Sequence, residues 1–134
     1  MNTVFADTYY FIALLNPKDS AHTRASDFSR TSRAHVVSSI CVFTELADGL
    51  SRSPHRHLFR LLWDDFERGP HTRLVWPDES LYRRAIDLYD ARRDKQWSLT
   101  DCISFVIMQE HGLTEALTGD HHFEQAGFRA LLKE

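Results

Sequence analysis

Short strand-like runs alternate with stretches of helical periodicity along the whole chain, and this alternation constrains the fold more than any other feature. The runs are Thr3-Val4-Phe5-Ala6-Asp7, His35-Val36-Val37-Ser38-Ser39, Arg73-Leu74-Val75-Trp76, Glu115 to Thr118 and Phe128 to Leu132. Tyr9 to Leu15 reads as a helix, and after the break at Asn16-Pro17 either Asp19 or Ser20 can cap a second one through about Arg30. Val42, Phe43, Leu46, Ala47 and Leu50 recur at helical spacing. Pro54 suits the first turn of the next helix, whose apolar face is Leu58, Leu62 and Phe66. Pro77-Asp78 opens a long amphipathic helix with Leu81, Ala85, Leu88 and Tyr89 inward. Leu99 to Glu110 is apolar almost all round, hence buried, and His121 to Gln125 is a short helix. Strands alternating with helices require a mostly parallel sheet covered on both faces. The expected fold is α/β, in a single domain spanning residues 1–134.

Composition narrows the class further. A chain of 134 residues has room for one core. With 43% hydrophobic and 26% charged residues it reads as a globular protein, and no apolar run approaches the roughly 18 residues that span a bilayer. Met1 to Asp7 has no basic stretch, so no signal peptide is expected, and the expected location is the cytoplasm without membrane attachment. Cys41 and Cys102 both sit in apolar runs and read as reduced, buried side chains. The net charge of −3 excludes little, because thirteen of the sixteen basic residues are arginine and many lie between Arg52 and Arg93. One basic face on a mildly acidic protein can still bind nucleic acid.

Four carboxylates carry the chemistry. Asp7 follows the first strand directly, and Asp120 follows the fourth through Gly119. Ligand sites in open parallel sheets lie beyond the carboxyl ends of strands, so these two acids can share a cleft. Each could instead cap the helix that follows it. Asp101 lies in Ser98-Leu99-Thr100-Asp101, a capping-box-like start. It also shares a helical stripe with Phe105 and Met108, where an unmatched carboxylate would cost several kcal/mol, order of magnitude. Glu45 sits at the edge of the apolar face of Val42, Leu46 and Leu50, where acids are commonly just solvated. If the four converge, their repulsion calls for a hard divalent cation with oxygen ligands. Two such ions about 3.5–4 Å apart can hold the attacking water and the leaving oxygen of a phosphodiester.

With these residues in place, the chain resembles the PIN-domain nucleases, in particular the VapC-type toxins of bacterial toxin–antitoxin pairs. The opening Val4-Phe5-Ala6-Asp7-Thr8, followed by Asp19-x-x-His22-x-x-Ala25, is similar to the start of that family. Val42-Phe43-Thr44-Glu45-Leu46 is similar to its second acidic motif. Ser98-Leu99-Thr100-Asp101-Cys102-Ile103-Ser104-Phe105 and Leu117-Thr118-Gly119-Asp120-His121-His122-Phe123 match the third and fourth. The resemblance covers nearly the whole chain in order. It implies a five-stranded parallel sheet in an α/β/α sandwich and Mg2+- or Mn2+-dependent cleavage of RNA. Asp7, Glu45, Asp101 and Asp120 carry over as catalytic and metal-binding acids, and Thr8 as a hydroxyl that orients a ligand or water. It also implies an antitoxin protein that blocks the site, often with an arginine, and a homodimer, for which Tyr9, Tyr10 and Phe11 offer aromatic surface.

RNA contact falls to Arg52, Arg56 and Arg60 in one region and to Arg83, Arg84, Arg92, Arg93 and Lys95 in another, since an acidic cleft needs cations at its rim. Ion pairing competes for the second set, Asp87 standing four residues after Arg83. His121-His122 is not expected to form a zinc site, because adjacent side chains should point apart and no third His or Cys stands at zinc spacing. No Gly-rich nucleotide motif is present. Two other functions fit the same residues: a catalytically silent RNA- or protein-binding module, and a housekeeping RNA-processing nuclease.

Overall fold

The structure, a computed structural model, describes residues 2–134, and Met1, the first residue of the expected domain, lies outside them. Strands β1 (Thr3–Ala6), β2 (His35–Ser39), β3 (Thr72–Val75), β4 (Glu115–Leu117) and β5 (Arg129–Ala130) form one sheet in the order β3-β2-β1-β4-β5. Every pairing is parallel, as the alternation requires. The helices are α1 (Thr8–Leu15), α2 (His22–Thr31), α3 (Ile40–Leu50), α4 (Leu58–Arg68), α5 (Glu79–Ala91), α6 (Leu99–Glu110) and α7 (His121–Gln125).

The chain begins in the middle of the sheet, winds outward through β2 to β3, then returns to β4 on the other side of β1. The winding therefore reverses between β1 and β4. A crevice opens beyond the carboxyl ends of strands at such a reversal. Asp7 leaves β1 and Asp120 leaves the turn after β4 on its two sides.

Val4, Phe5 and Ala6 have no exposed surface, so β1 is covered on both faces. Helix α6 packs on α5 and α3, and its run Cys102 to Met108 is buried. Phe105 on α6 meets Phe123 on α7 edge-on, with centroids 4.9 Å apart, and Trp97 packs on Phe105 at 5.0 Å. Such pairs favour this geometry and add specificity to the burial. They fix the start of α6 against α7, which sets Asp101 beside Asp120.

Several expectations are corrected here. Pro54 does not open a helix: residues 51–57 form successive turns and α4 begins at Leu58. Trp76 falls outside β3 and is 65% exposed. Tyr89 is 52% exposed, because α5 buries only a narrow stripe led by Leu81 and Ala85. Tyr10 and Phe11 belong to the core, Phe11 packing on Phe43 and Phe66, so they offer no surface for a dimer. Cys41 and Cys102 are free thiols. Among the described residues, no helix is long and apolar enough to cross a membrane.

Candidate metal centre

Asp7 is the N-cap residue of α1, yet its side chain makes no capping hydrogen bond. Asp7 is 6% exposed, and its carboxylate is turned toward Thr118, whose buried hydroxyl donates to Oδ2 at 2.9 Å. The same hydroxyl oxygen accepts the Asp120 N–H at 3.0 Å. One threonine therefore links the acid after β1 to the acid after β4. Burial pushes Asp7 up to about 7, and the nearby carboxylates of Asp101 and Glu45 push the same way against the Thr118 bond.

Asp101 does cap its helix. Ser98 Oγ accepts the Asp101 N–H and Asp101 Oδ2 accepts the Ser98 N–H, each at 3.0 Å. The capping carboxylate still faces the crevice, with only 13% of its side chain exposed. Burial raises its pKa, and the charge of Asp120 adds to this. Asp120 caps α7 through the His122 N–H at 2.9 Å. Capping and convergence are thus compatible for Asp101 and Asp120, while Asp7 has no capping role.

Glu45 is exposed on α3, and its charge reaches Asp7. It lines a groove of about 290 Å³ together with Thr44, Asp48, Tyr82 and Thr100. The four acids are therefore linked in a chain of repulsions: Glu45 and Asp101 act on Asp7, and Asp120 acts on Asp101. The Thr8 hydroxyl, next to Asp7, is buried without a hydrogen-bond partner.

Two further side chains meet these acids. Thr118 reads from the sequence only as the end of a strand, within Leu117-Thr118-Gly119-Asp120, and the signal for its role is Thr-Gly-Asp directly after that strand. His122 reaches into the cluster, its Nδ1 3.1 Å from Asp101 Oδ2 and 3.4 Å from Asp120 Oδ1. Gly119 lets the turn pass the Tyr9 ring, because a Cβ there would come within 2.5 Å of Tyr9 Cζ.

The basic candidates divide. Arg83 pairs with Glu79, not with Asp87, Arg84 with Glu110, Arg60 with Asp64, and Arg92 and Arg93 with Asp94 and Asp90. Lys95 lies 4.0 Å from Asp94. Arg52 and Arg56 stand exposed on the 51–57 turns and make no ion pair among the described residues; Arg56 donates to the Ser51 carbonyl at 3.0 Å.

The PIN domain family matches residues 4–129. Among solved structures, VapC20 of Mycobacterium tuberculosis, described as a sarcin–ricin loop cleaving toxin, is 24% identical. It superposes with a TM-score of 0.83 over 93% of this chain and 95% of that one. DNA-bound VapBC from Salmonella typhimurium is 16% identical, with a TM-score of 0.67 over 97% of each chain. FitAcB from Neisseria gonorrhoeae is 17% identical, with a TM-score of 0.62 over 95% of this chain and 94% of that one. None of the curated proteins matches the sequence. The structural likenesses establish the fold.

Proposed function

Because this chain belongs to the PIN domain family, we propose that it is a magnesium- or manganese-dependent endoribonuclease acting as the toxin of a toxin–antitoxin pair. The observation that carries the reading is that Thr118 links Asp7 and Asp120 at the reversal of the sheet, while the charges of Glu45 and Asp101 reach Asp7 and that of Asp120 reaches Asp101. Their donor set is all oxygen, which suits a hard divalent ion. Asp7 is buried with one side-chain hydrogen bond against two neighbouring acids, and the Thr8 hydroxyl beside it lacks a partner. These features fit a bound cation held by the four carboxylates.

When bound, the ion supplies positive charge that offsets the cluster, draws in the RNA phosphate and activates water for attack at phosphorus. The protein's own part is positional. Thr118 holds Asp7 against the Asp120 turn, the Ser98 capping box fixes Asp101, and the Thr8 hydroxyl orients a ligand or water. Arg52 and Arg56 are the leading phosphate contacts, because Arg83 and Arg84 already have carboxylate partners. The resemblance to VapC20 favours a structured RNA as substrate.

An antitoxin completes the reading, as in the toxin–antitoxin structures of like fold. A groove of about 340 Å³ between Ile12, Leu15, Leu46 and Leu50 lies one turn from Glu45 and suits an apolar partner segment. Homodimerisation is also part of the proposal. Its surface moves from the buried Tyr10 and Phe11 to α5, where Tyr82, Ile86 and Tyr89 are exposed at helical spacing.

The test is removal and return of metal. A structured RNA incubated with EDTA-treated protein should stay intact, and adding Mg2+ or Mn2+ should restore cleavage. Cleavage that persists in excess EDTA overturns the metal-dependent reading.

A further inference from the structure

The expectation that His121 and His122 point apart fails for a geometric reason. They are the first two residues of α7, and helical side chains lean back toward the N-terminus. Successive residues on a helix are also about 100° apart rather than on opposite faces as in a strand. Both rings therefore lean over Asp120. His121 Nδ1 lies 3.5 Å from Asp120 Oδ1 and His122 Nδ1 3.4 Å from the same oxygen, with the ring centroids 4.5 Å apart. The donor atoms of these three residues all lie within 4.8 Å of one another. Asp101 Oδ2 stands 3.1 Å from His122 Nδ1 on the other side.

We propose that Asp120, His121 and His122 form a nitrogen-bearing site for zinc-class divalent ions, sharing the Asp120 carboxylate with the oxygen-only centre, while Asp101 is hydrogen-bonded to His122 beside it. Zinc binds nitrogen and oxygen at about 2.0–2.1 Å in a tetrahedral array, which puts neighbouring donors roughly 3.3–3.4 Å apart. The 3.4 and 3.5 Å separations from Asp120 Oδ1 to the two imidazoles lie close to that value. Both are longer than an ordinary hydrogen bond of about 2.7–3.2 Å. The site is also held in shape. Asp101 is fixed by the Ser98 N–H, and Asp120 by the N–H of His122 itself. His122 and Asp101 are largely enclosed, while the His121 side chain is 67% exposed and leaves a way in for the ion.

Ligand chemistry separates the two ions. Imidazole suits zinc, whereas magnesium takes oxygen and gives up its water reluctantly. An ion held by the imidazoles also occupies Asp120, one of the carboxylates proposed for magnesium, so zinc and magnesium exclude one another. Zinc is then an inhibitor of the proposed nuclease, and this consequence rests on the reading of the acidic cluster given above.

The test is calorimetric titration of the full chain with ZnCl2 and, separately, with MgCl2. The wild type should take up one Zn2+ tightly, and Mg2+ should weaken that binding. Replacing both imidazoles, His121→Ala with His122→Ala, should cost about tenfold or more in Zn2+ affinity, with a much smaller change for Mg2+. Zinc affinity unchanged in the double variant overturns the site. Should that variant fail to fold, imidazole nitrogen resonances of the wild type decide the matter. On adding Zn2+ the Nδ1 signals of His121 and His122 must shift, and unmoved signals at both overturn the site. The two readings fail separately. Zinc bound at these imidazoles without any Mg2+-dependent cleavage keeps the site and removes the nuclease. Cleavage with zinc binding indifferent to both histidines does the reverse.

Discussion

Thr118 Oγ1 donates a 2.9 Å hydrogen bond to Asp7 Oδ2, joining residues 111 positions apart across the two central strands of the sheet. Because the same oxygen accepts the Asp120 N–H, Thr118 sets the spacing of two acids at once. Replacing it by valine keeps the shape and removes both bonds. Thr118→Val should cost about 1–3 kcal/mol of stability, the usual cost of leaving buried polar groups unpaired. RNA cleavage should fall about tenfold or more, because a misplaced acid no longer meets its partners. Thr118→Ser should recover most of both losses. Urea unfolding and cleavage rates measure them, and a fully active Thr118→Val would show that the link is not needed.

Asp7 makes metal-free stability depend on pH. Its carboxyl titrates near 3.8 when unfolded and at about 7 when buried in the fold, so the folded state binds the proton more tightly. Stability is therefore full below about pH 4 as far as this group is concerned, and it declines as pH rises through 7. Three pH units at about 1.4 kcal/mol each set an upper scale of roughly 4 kcal/mol. The raised Asp101 carboxyl adds to the decline in the same direction. In EDTA, unfolding at pH 8 should need less urea than at pH 5. Asp7→Asn should flatten most of that slope, and added Mg2+ should restore stability at pH 8. A wild-type midpoint that rises from pH 5 to pH 8 in EDTA contradicts the assignment.

Arginines that already hold a carboxylate should matter less to RNA than those that do not. Arg83 and Arg84 are paired with Glu79 and Glu110, whereas Arg52 and Arg56 are not paired among the described residues. Arg52→Ala and Arg56→Ala should each weaken RNA binding and lower the salt slope by about 0.7–1. Arg83→Ala and Arg84→Ala should move both quantities less. Fluorescence binding at several salt concentrations ranks the four variants, and the opposite ranking would put the RNA path along α5.

Inhibition by an antitoxin should compete with magnesium. A guanidinium can form charge-assisted, bidentate hydrogen bonds to the carboxylates of Asp7, Glu45 and Asp101, which are the same groups the ion needs. At fixed ionic strength the partner's affinity should therefore fall as Mg2+ rises; constant ionic strength excludes ordinary screening. An affinity indifferent to Mg2+, with inhibition complete, would mean that the partner covers the RNA path instead.

The alternation of strands with helices and the acids at the strand ends were legible because each depends on local pattern. Val4 to Ala6 is apolar throughout because β1 is buried on both faces, and Asp7 marks where that burial meets the crevice. What lay beyond the sequence depends on contacts between distant segments. Nothing near Asp7 tells that its oxygen turns to Thr118 rather than to its own helix, since a capping geometry was equally available. At least one of Tyr9, Tyr10 and Phe11 is expected in the core, but only the packing of Phe28, Phe43 and Phe66 shows that Tyr10 and Phe11 are both there. Adjacency alone suggests that His121 and His122 point apart, whereas α7 turns both toward Asp120. Pro54 is tolerated at a helix start but equally at home in a turn, and here it lies in the turns before Leu58.

The most direct test is Mg2+-dependent cleavage of a structured RNA by wild type, Asp7→Asn and Asp101→Asn, with thermal melting of each in EDTA. If the four acids form one metal centre, both variants lose cleavage while remaining folded, and Asp7→Asn melts no lower than wild type because a source of repulsion is gone. Full cleavage by both folded variants would contradict it.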